Sequence, residues 1–186
     1  MLFFLNLEKV FSMQQNSNWG KGRNLKRKQN TKQKRTRNIQ RNGLTANEIN
    51  EFLDRSFSFM GTIEMSSFKK MIIKAKYFSF VINCSNHWFA IYSTPKCFDI
   101  FDPLGFLKTK DCVSRNLLKF ISRQLGHKEF KASPSLQSET SSLCGVYCVY
   151  FINKRDKGFE FEEILNHFSN KSENEKLMTK FLYKIL

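Results

Sequence analysis

Four side chains have the types and order that nucleophilic acyl chemistry needs: His87 in NHWFAIY, Asp102 in FDIFDPLG, Gln137 in SLQSET and Cys144 in SSLCGVYC. A thiol attacks a carbonyl as the thiolate, so it needs a base, a group that orients the base, and a donor for the oxyanion that forms. Cys144 follows Ser141 and Ser142, which suit a helix cap, and precedes the apolar run from Val146 to Ile152. The sulfur is thus expected at a helix N-terminus, where the macrodipole and a neighbouring imidazolium both favour the anion. His87 supplies that imidazolium. Asp102 ends the strand-like run CFDIFD, just before a Pro103-Leu104-Gly105 turn, and is placed to accept the other ring N–H and fix the tautomer. Gln137, on a loop seven residues before the thiol, carries two amide protons that suit an oxyanion beside the Cys144 backbone N–H.

Other candidates compete with these four. Cys84, Cys97, Cys112 and Cys148 read as small buried hydrophobes, although Cys148 lies one turn beyond Cys144 on the same helix face. His127 and His167 stand in no comparable setting and read as surface or structural groups. Asp99 rivals Asp102, but alternation along Phe98 to Asp102 sends the two to opposite faces, and the residue at the strand end is favoured. Trp88 has two readings, a lid over a narrow channel that admits only glycine-like main chain, or core on the face opposite His87. Period-two alternation favours core.

The elements that must position these groups follow from pattern. Thr45 and Glu48 form a capping box and Leu44 and Ile49 a hydrophobic staple, so a helix is predicted over Ala46–Arg55. Strands are predicted over Tyr77–Asn83, Trp88–Ser93 and Cys97–Phe101, the last two joined at Thr94-Pro95-Lys96. His87 opens one strand of that hairpin and Asp102 closes the other, so antiparallel pairing brings base and orienter together. Helices are predicted over Asp111–Leu125, Leu143–Lys154, Phe161–Phe168 and Glu173–Ile185. The fold class is α+β: a small, mostly antiparallel sheet packed by helices, with Cys144 at the N-terminus of a buried helix.

The chain's 186 residues are 41% hydrophobic, with 20 Phe and no apolar run near spanning length, so one domain with a real core is expected, without stable membrane insertion. Five cysteines with no CxxC pair point to reduced thiols in the nucleocytoplasm, and no metal is implied. Residues 1–42 read as a disordered basic arm and 43–186 as the catalytic domain. Ten Lys or Arg lie between Lys21 and Arg41, and no acid occurs between Glu8 and Glu48. Of the 31 basic residues, the 20 from Asn42 onward face 15 acids, so the arm supplies about two thirds of the net +15. Such a run suits nuclear targeting or nucleic-acid binding, with Lys26, Arg27, Lys28, Lys34 and Arg35 as candidate phosphate contacts. The apolar opening, MLFFLNLEKVFSM, has its charges after the apolar stretch, so it reads as an interfacial or core-packing segment rather than a signal peptide.

Taken together, HW followed by alternating apolar residues, FDPLGF, Gln seven positions before Cys, and CG opening an apolar helix resemble the adenovirus protease (adenain) group of viral cysteine peptidases. The resemblance runs from about Leu44 to about Lys157 and implies a cysteine endopeptidase with His87 as base, Asp102 as orienter where the adenoviral enzymes have Glu, Gln137 in the oxyanion hole and Cys144 as nucleophile. It also implies cleavage of viral precursor polypeptides after Gly in Gly-Gly or Gly-X-Gly contexts, in the host nucleus and virion, by a monomer that needs no cofactor for chemistry and takes DNA as activator. SUMO-deconjugating proteases share the clan, but commonly have Gln six residues before Cys, Asp directly before it and an aromatic-Asp-Ser element. Leu143 and Asp102-Pro103 here favour the viral branch. The adenoviral enzyme holds an activating peptide by a disulfide; the matching stretch GHKEFKASPSLQ has no cysteine, so that route is not expected. Two alternatives remain, a SUMO or ubiquitin-like deconjugating enzyme and a non-catalytic nucleic-acid-binding virion protein.

Overall fold

The computed structural model describes residues 21–65, 73–105, 115–126 and 128–186. The apolar opening, Cys112 and His127 lie outside the described residues. Five strands form one sheet in sequential order, β1 (Phe59–Glu64), β2 (Phe78–Cys84), β3 (His87–Ser93), β4 (Cys97–Phe101) and β5 (Glu129–Ala132). The helices are α1 (Lys21–Asn42), α2 (Ala46–Phe52), α3 (Arg115–Leu125), α4 (Cys144–Asp156), α5 (Phe161–Leu165) and α6 (Lys171–Ile185). No helix of the described residues is long and apolar enough to cross a membrane.

The α+β class and the buried helix beginning at Cys144 are present as expected. The sheet is mixed: β2, β3 and β4 pair antiparallel, while β1 and β5 add parallel ladders at the two edges. The two-residue loop Ser85-Asn86, with φ of 50° and 71°, has the left-handed backbone of a tight hairpin and pairs Cys84 with His87. Alternation along β3 then divides the core. Trp88, Ala90 and Tyr92 face α4, while Phe89 and Ile91 join Leu117, Phe120 and Ile121 of α3 on the other face. With both faces covered, the central strands read as nearly continuous apolar runs. Helix α4 is buried from Cys144 to Ile152, which fits a helix apolar all round.

Its far end is fixed by a buried charge. Arg155 Nε lies 3.0 Å from Asp99 Oδ2, while its Nη1 donates to the Phe159 carbonyl at 2.8 Å. The Nε contact lacks hydrogen-bond alignment, since neither Asp99 oxygen has a hydrogen-bonding partner. Burial accordingly raises the Asp99 pKa to about 6 despite the opposing charges of Arg155 and Lys131. Removing the cation strands the carboxylate, so Arg155→Met is expected to destabilise the protein by about 3–5 kcal/mol, measurable by urea unfolding at pH 7.

Contrary to the expected disorder, the basic run is a helix. Thr36 and Ile39, three residues apart, are buried on one face of α1, and Arg35 pairs with Glu51 at 3.0 Å and lies 3.8 Å from Glu48, both acids of α2. Gln40 Nε2 donates to Thr179 Oγ1 of α6 at 2.9 Å, and Lys32 lies over the Tyr183 ring. Composition made the run look unable to bury anything, but a helix needs only one face to dock. The capping box of Thr45 and Glu48 holds α2 as predicted, although α2 ends at Phe52.

Candidate active site

Cys144 is the first residue of α4 and is 6% exposed. The expected serine cap is absent. Leu143 occupies the N-cap with no side-chain hydrogen bond. Ser142 Oγ instead donates to the carbonyl of Gln40, and Ser141 Oγ accepts from the Leu143 N–H at 3.4 Å. The serine therefore satisfies the carbonyl end of α1 and leaves the first amides of α4 without a side-chain acceptor, a disposition suited to an anion.

Gly145 lets neighbouring groups close on this helix start. A Cβ there would meet Leu44 Cβ at 3.0 Å and Ile49 Cδ1 and Trp88 Cδ1 at 3.3 Å. Trp88 is 7% exposed and its indole N–H donates to the Leu44 carbonyl at 2.9 Å, so it is core, as alternation favoured, and not an open lid. Gly145→Ala is expected to destabilise the protein by about 1–3 kcal/mol through overpacking, read as a lower urea midpoint at unchanged slope.

His87 and Asp102 meet at the open end of the β3–β4 hairpin. The His87 Nε2–H donates to Asp102 Oδ1 at 2.8 Å, and the Cys144 thiol is the ring's other side-chain partner. Burial lowers the His87 pKa, but hydrogen bonds to Asp102 and Cys144 and the charges of both groups outweigh it, pushing the pKa up to about 9. Asp102 itself is fully buried and accepts the Leu104 N–H at 2.9 Å. Its main chain exchanges two hydrogen bonds with the Ser133 hydroxyl, receiving at 2.8 Å and donating at 2.7 Å. Ser133 was not foreseen, because nothing in the pattern of KASPS marks it. Asp99 is occupied by Arg155, so the competition between the two aspartates is resolved by partners.

Gln137 is 1% exposed, and the Pro103 carbonyl accepts its backbone N–H at 2.9 Å. Its Nε2 donates to the Ser141 carbonyl at 2.6 Å, while its Oε1 is buried without a hydrogen-bonding partner. The hydrogen bond to Asp102 and the electrostatic influence of Cys144 therefore both fall on His87, while the side chain of Gln137 is tied to the loop leading into Cys144 rather than to the thiol. One amide proton of Gln137 remains for another acceptor.

The other candidates are accounted for separately. Cys148 is fully buried and its pKa is pushed well up, by burial first and then by Cys144 and Asp102, which keeps it a thiol. His167 Nδ1 and the Tyr150 hydroxyl share a hydrogen bond at 2.8 Å, and burial and Lys154 lower the His167 pKa, so it is structural. Lys28 and Lys34 are exposed on α1, and Arg35 is turned toward α2, paired with Glu51 and lying over Phe52. Lys26 and Arg27 belong to α1, but their side chains lie outside the described set.

No family model and no curated protein sequence matches the chain. Solved structures do. The ASFV pS273R protease superposes with a TM-score of 0.51 and 18% identity, over 77% of this chain and 67% of that one. The fold is shared with a protease. The central domain of the Lpg1148 protein from Legionella pneumophila also superposes with a TM-score of 0.51, at 12% identity, over 76% of this chain and 94% of that one. The fold expected from the HW, FDPLGF and CG motifs is thus one that a solved protease also has.

Proposed function

We propose that this chain is a cysteine endopeptidase in which Cys144 is the nucleophile, His87 the general base and acid, and Asp102 the group that orients the imidazole. The observation that carries this reading is the placement of His87 between Asp102, its hydrogen-bond partner at 2.8 Å, and Cys144 at the start of α4, the two groups that together raise the pKa of the ring. The thiolate adds to the scissile carbonyl, and the oxyanion is held by the Cys144 backbone N–H, with the second amide proton of Gln137 as a further donor. His87 then gives its proton to the leaving amine, and a water deprotonated by His87 hydrolyses the thioester.

The substrates are polypeptides cleaved after Gly in Gly-Gly or Gly-X-Gly contexts, namely precursor proteins of a virus or virus-like element during maturation in the nucleus and virion. The support is the motif resemblance together with a fold shared with the pS273R protease. The test is mass spectrometry of new termini after incubating the purified chain with such a peptide and with ubiquitin and SUMO fusions. Turnover of the peptide alone is expected. Preferential cleavage of the fusions would replace this reading with tag deconjugation, and a failure to cleave either would leave a non-catalytic protein.

DNA assists through the exposed lysines of α1. Neutralising a phosphate releases a counterion, so each lysine lost is expected to reduce the slope of log affinity against log salt by about 1. Lys28→Gln with Lys34→Gln should therefore flatten the slope by about 2, measured by titrating a duplex at several salt concentrations. An unchanged slope would place DNA binding elsewhere.

A further inference from the structure

Away from the cysteine, a groove of about 440 Å³ runs between the C-terminal halves of α4 and α6. Its floor is apolar, made by Leu177, Phe181 and Ile185 with the ring of Tyr150. Lysines stand on both sides, Lys154 and Lys157 from α4 and Lys180 and Lys184 from α6. None of the four pairs with a carboxylate among the described residues, although Glu173, in the first turn of α6, is paired with Lys176. Lys154 lies over the rings of Phe159 and Tyr150, and Lys154, Lys157 and Lys184 stand at helix C-termini, where cations are favoured; the four together still leave the apolar cleft with a positive rim that no carboxylate of the described residues neutralises.

We infer that this groove docks an acidic peptide segment that carries an aromatic or aliphatic anchor. Spacings of three and four residues put the lysines of each helix about 4.5 to 6 Å apart along its axis. Carboxylates flanking the anchor of an acidic peptide can reach the long, flexible lysines of both rims while the anchor enters the floor. Charge complementarity selects this occupant. A second copy of the chain, at net +15, is repelled, and the apolar opening of this chain carries Glu8 beside Lys9 and so offers no net charge. A nucleic-acid backbone satisfies the lysines but presents no aliphatic anchor, and a planar membrane cannot reach a concave floor. This inference does not depend on the catalytic reading of Cys144.

The test uses the full chain and a fluorescein-labelled peptide, Asp-Glu-Phe-Asp-Asp-Leu-Glu-Glu, with fluorescence anisotropy as readout. Its counterpart has Ala in place of Phe and Leu. The anchored peptide is expected to bind at least about tenfold more tightly than the Ala peptide, because only it buries apolar surface. Lys180→Gln with Lys184→Gln should weaken it about tenfold or more, while Lys28→Gln with Lys34→Gln on α1 leaves it unchanged. A photo-reactive group at the Phe position should label α4 and α6. Equal binding of the two peptides, or loss only with the α1 variant, would overturn the proposal. So would binding of a duplex or an anionic vesicle that depends on the groove lysines and excludes the anchored peptide.

Discussion

Cys144→Ala is expected to lower kcat for a Gly-Gly peptide by a factor on the order of 10³ or more, as removal of a covalent nucleophile does in other acyl-transfer sites. Neither Cys148 nor Cys97 is placed to substitute for it. Cys148 sits one turn along the same helix, fully buried, and burial together with the charges of Cys144 and Asp102 holds it in the thiol form. Cys97 lies at the far end of the sheet, 3.3 Å from Arg155 Nη2 and 3.1 Å from Thr94 Oγ1. Cys148→Ser should therefore retain most of the activity, subject to the cost of a buried hydroxyl. Progress curves for the two variants beside the parent decide the matter, and an active Cys144→Ala protein would remove the nucleophile from the account.

The second large effect belongs to Asp102. Asp102→Asn keeps the shape but replaces an acceptor by a group whose amide nitrogen cannot accept the His87 Nε2–H, and the wrong tautomer is expected to lower kcat by about 10³ to 10⁴. The same change has a stability signature. The His87 pKa stands near 9 in the fold against 6.5 for an unperturbed ring, so the interaction contributes fully below about pH 6.5 and is lost as pH rises through about 9. A shift of that size corresponds to about 3 kcal/mol, shared between Asp102 and Cys144. The stability deficit of Asp102→Asn relative to the parent should thus be largest near pH 6 and shrink above pH 9, followed by urea unfolding across that range. A deficit that is flat with pH would mean that the carboxylate does not hold a charged imidazole.

What the sequence made visible follows physical reach. The β3–β4 hairpin was legible because Trp88 to Ser93 and Cys97 to Phe101 are apolar, β-rich and separated by a turn that Thr94 closes locally, its N–H donating to the Cys97 carbonyl at 2.9 Å. From that hairpin the meeting of His87 and Asp102 followed. β1 was not legible, because Gly61 at φ 121° interrupts the ladder with β2 and its half-buried residues do not alternate. β5 is four residues long and largely exposed, and it becomes a strand only through pairing with β4. Helix α1 was misread as disordered because the acids that hold Arg35 and the surface that covers Ile39 belong to other elements. The role of Ser142 was misassigned for the same reason. Its acceptor, the Gln40 carbonyl, is 102 residues away in sequence.

The relay from carboxylate to imidazole to sulfur is tested most directly by mass spectrometry after exposure to a peptidyl Gly-Gly vinyl ester, an electrophile that captures a thiolate in a peptide-binding site. One adduct on Cys144 is predicted, with Cys84, Cys97 and Cys148 unmodified and labelling slowed at least about a hundredfold by His87→Ala. Adducts spread over several cysteines, or labelling of Cys144 that is indifferent to the loss of His87, would contradict the account.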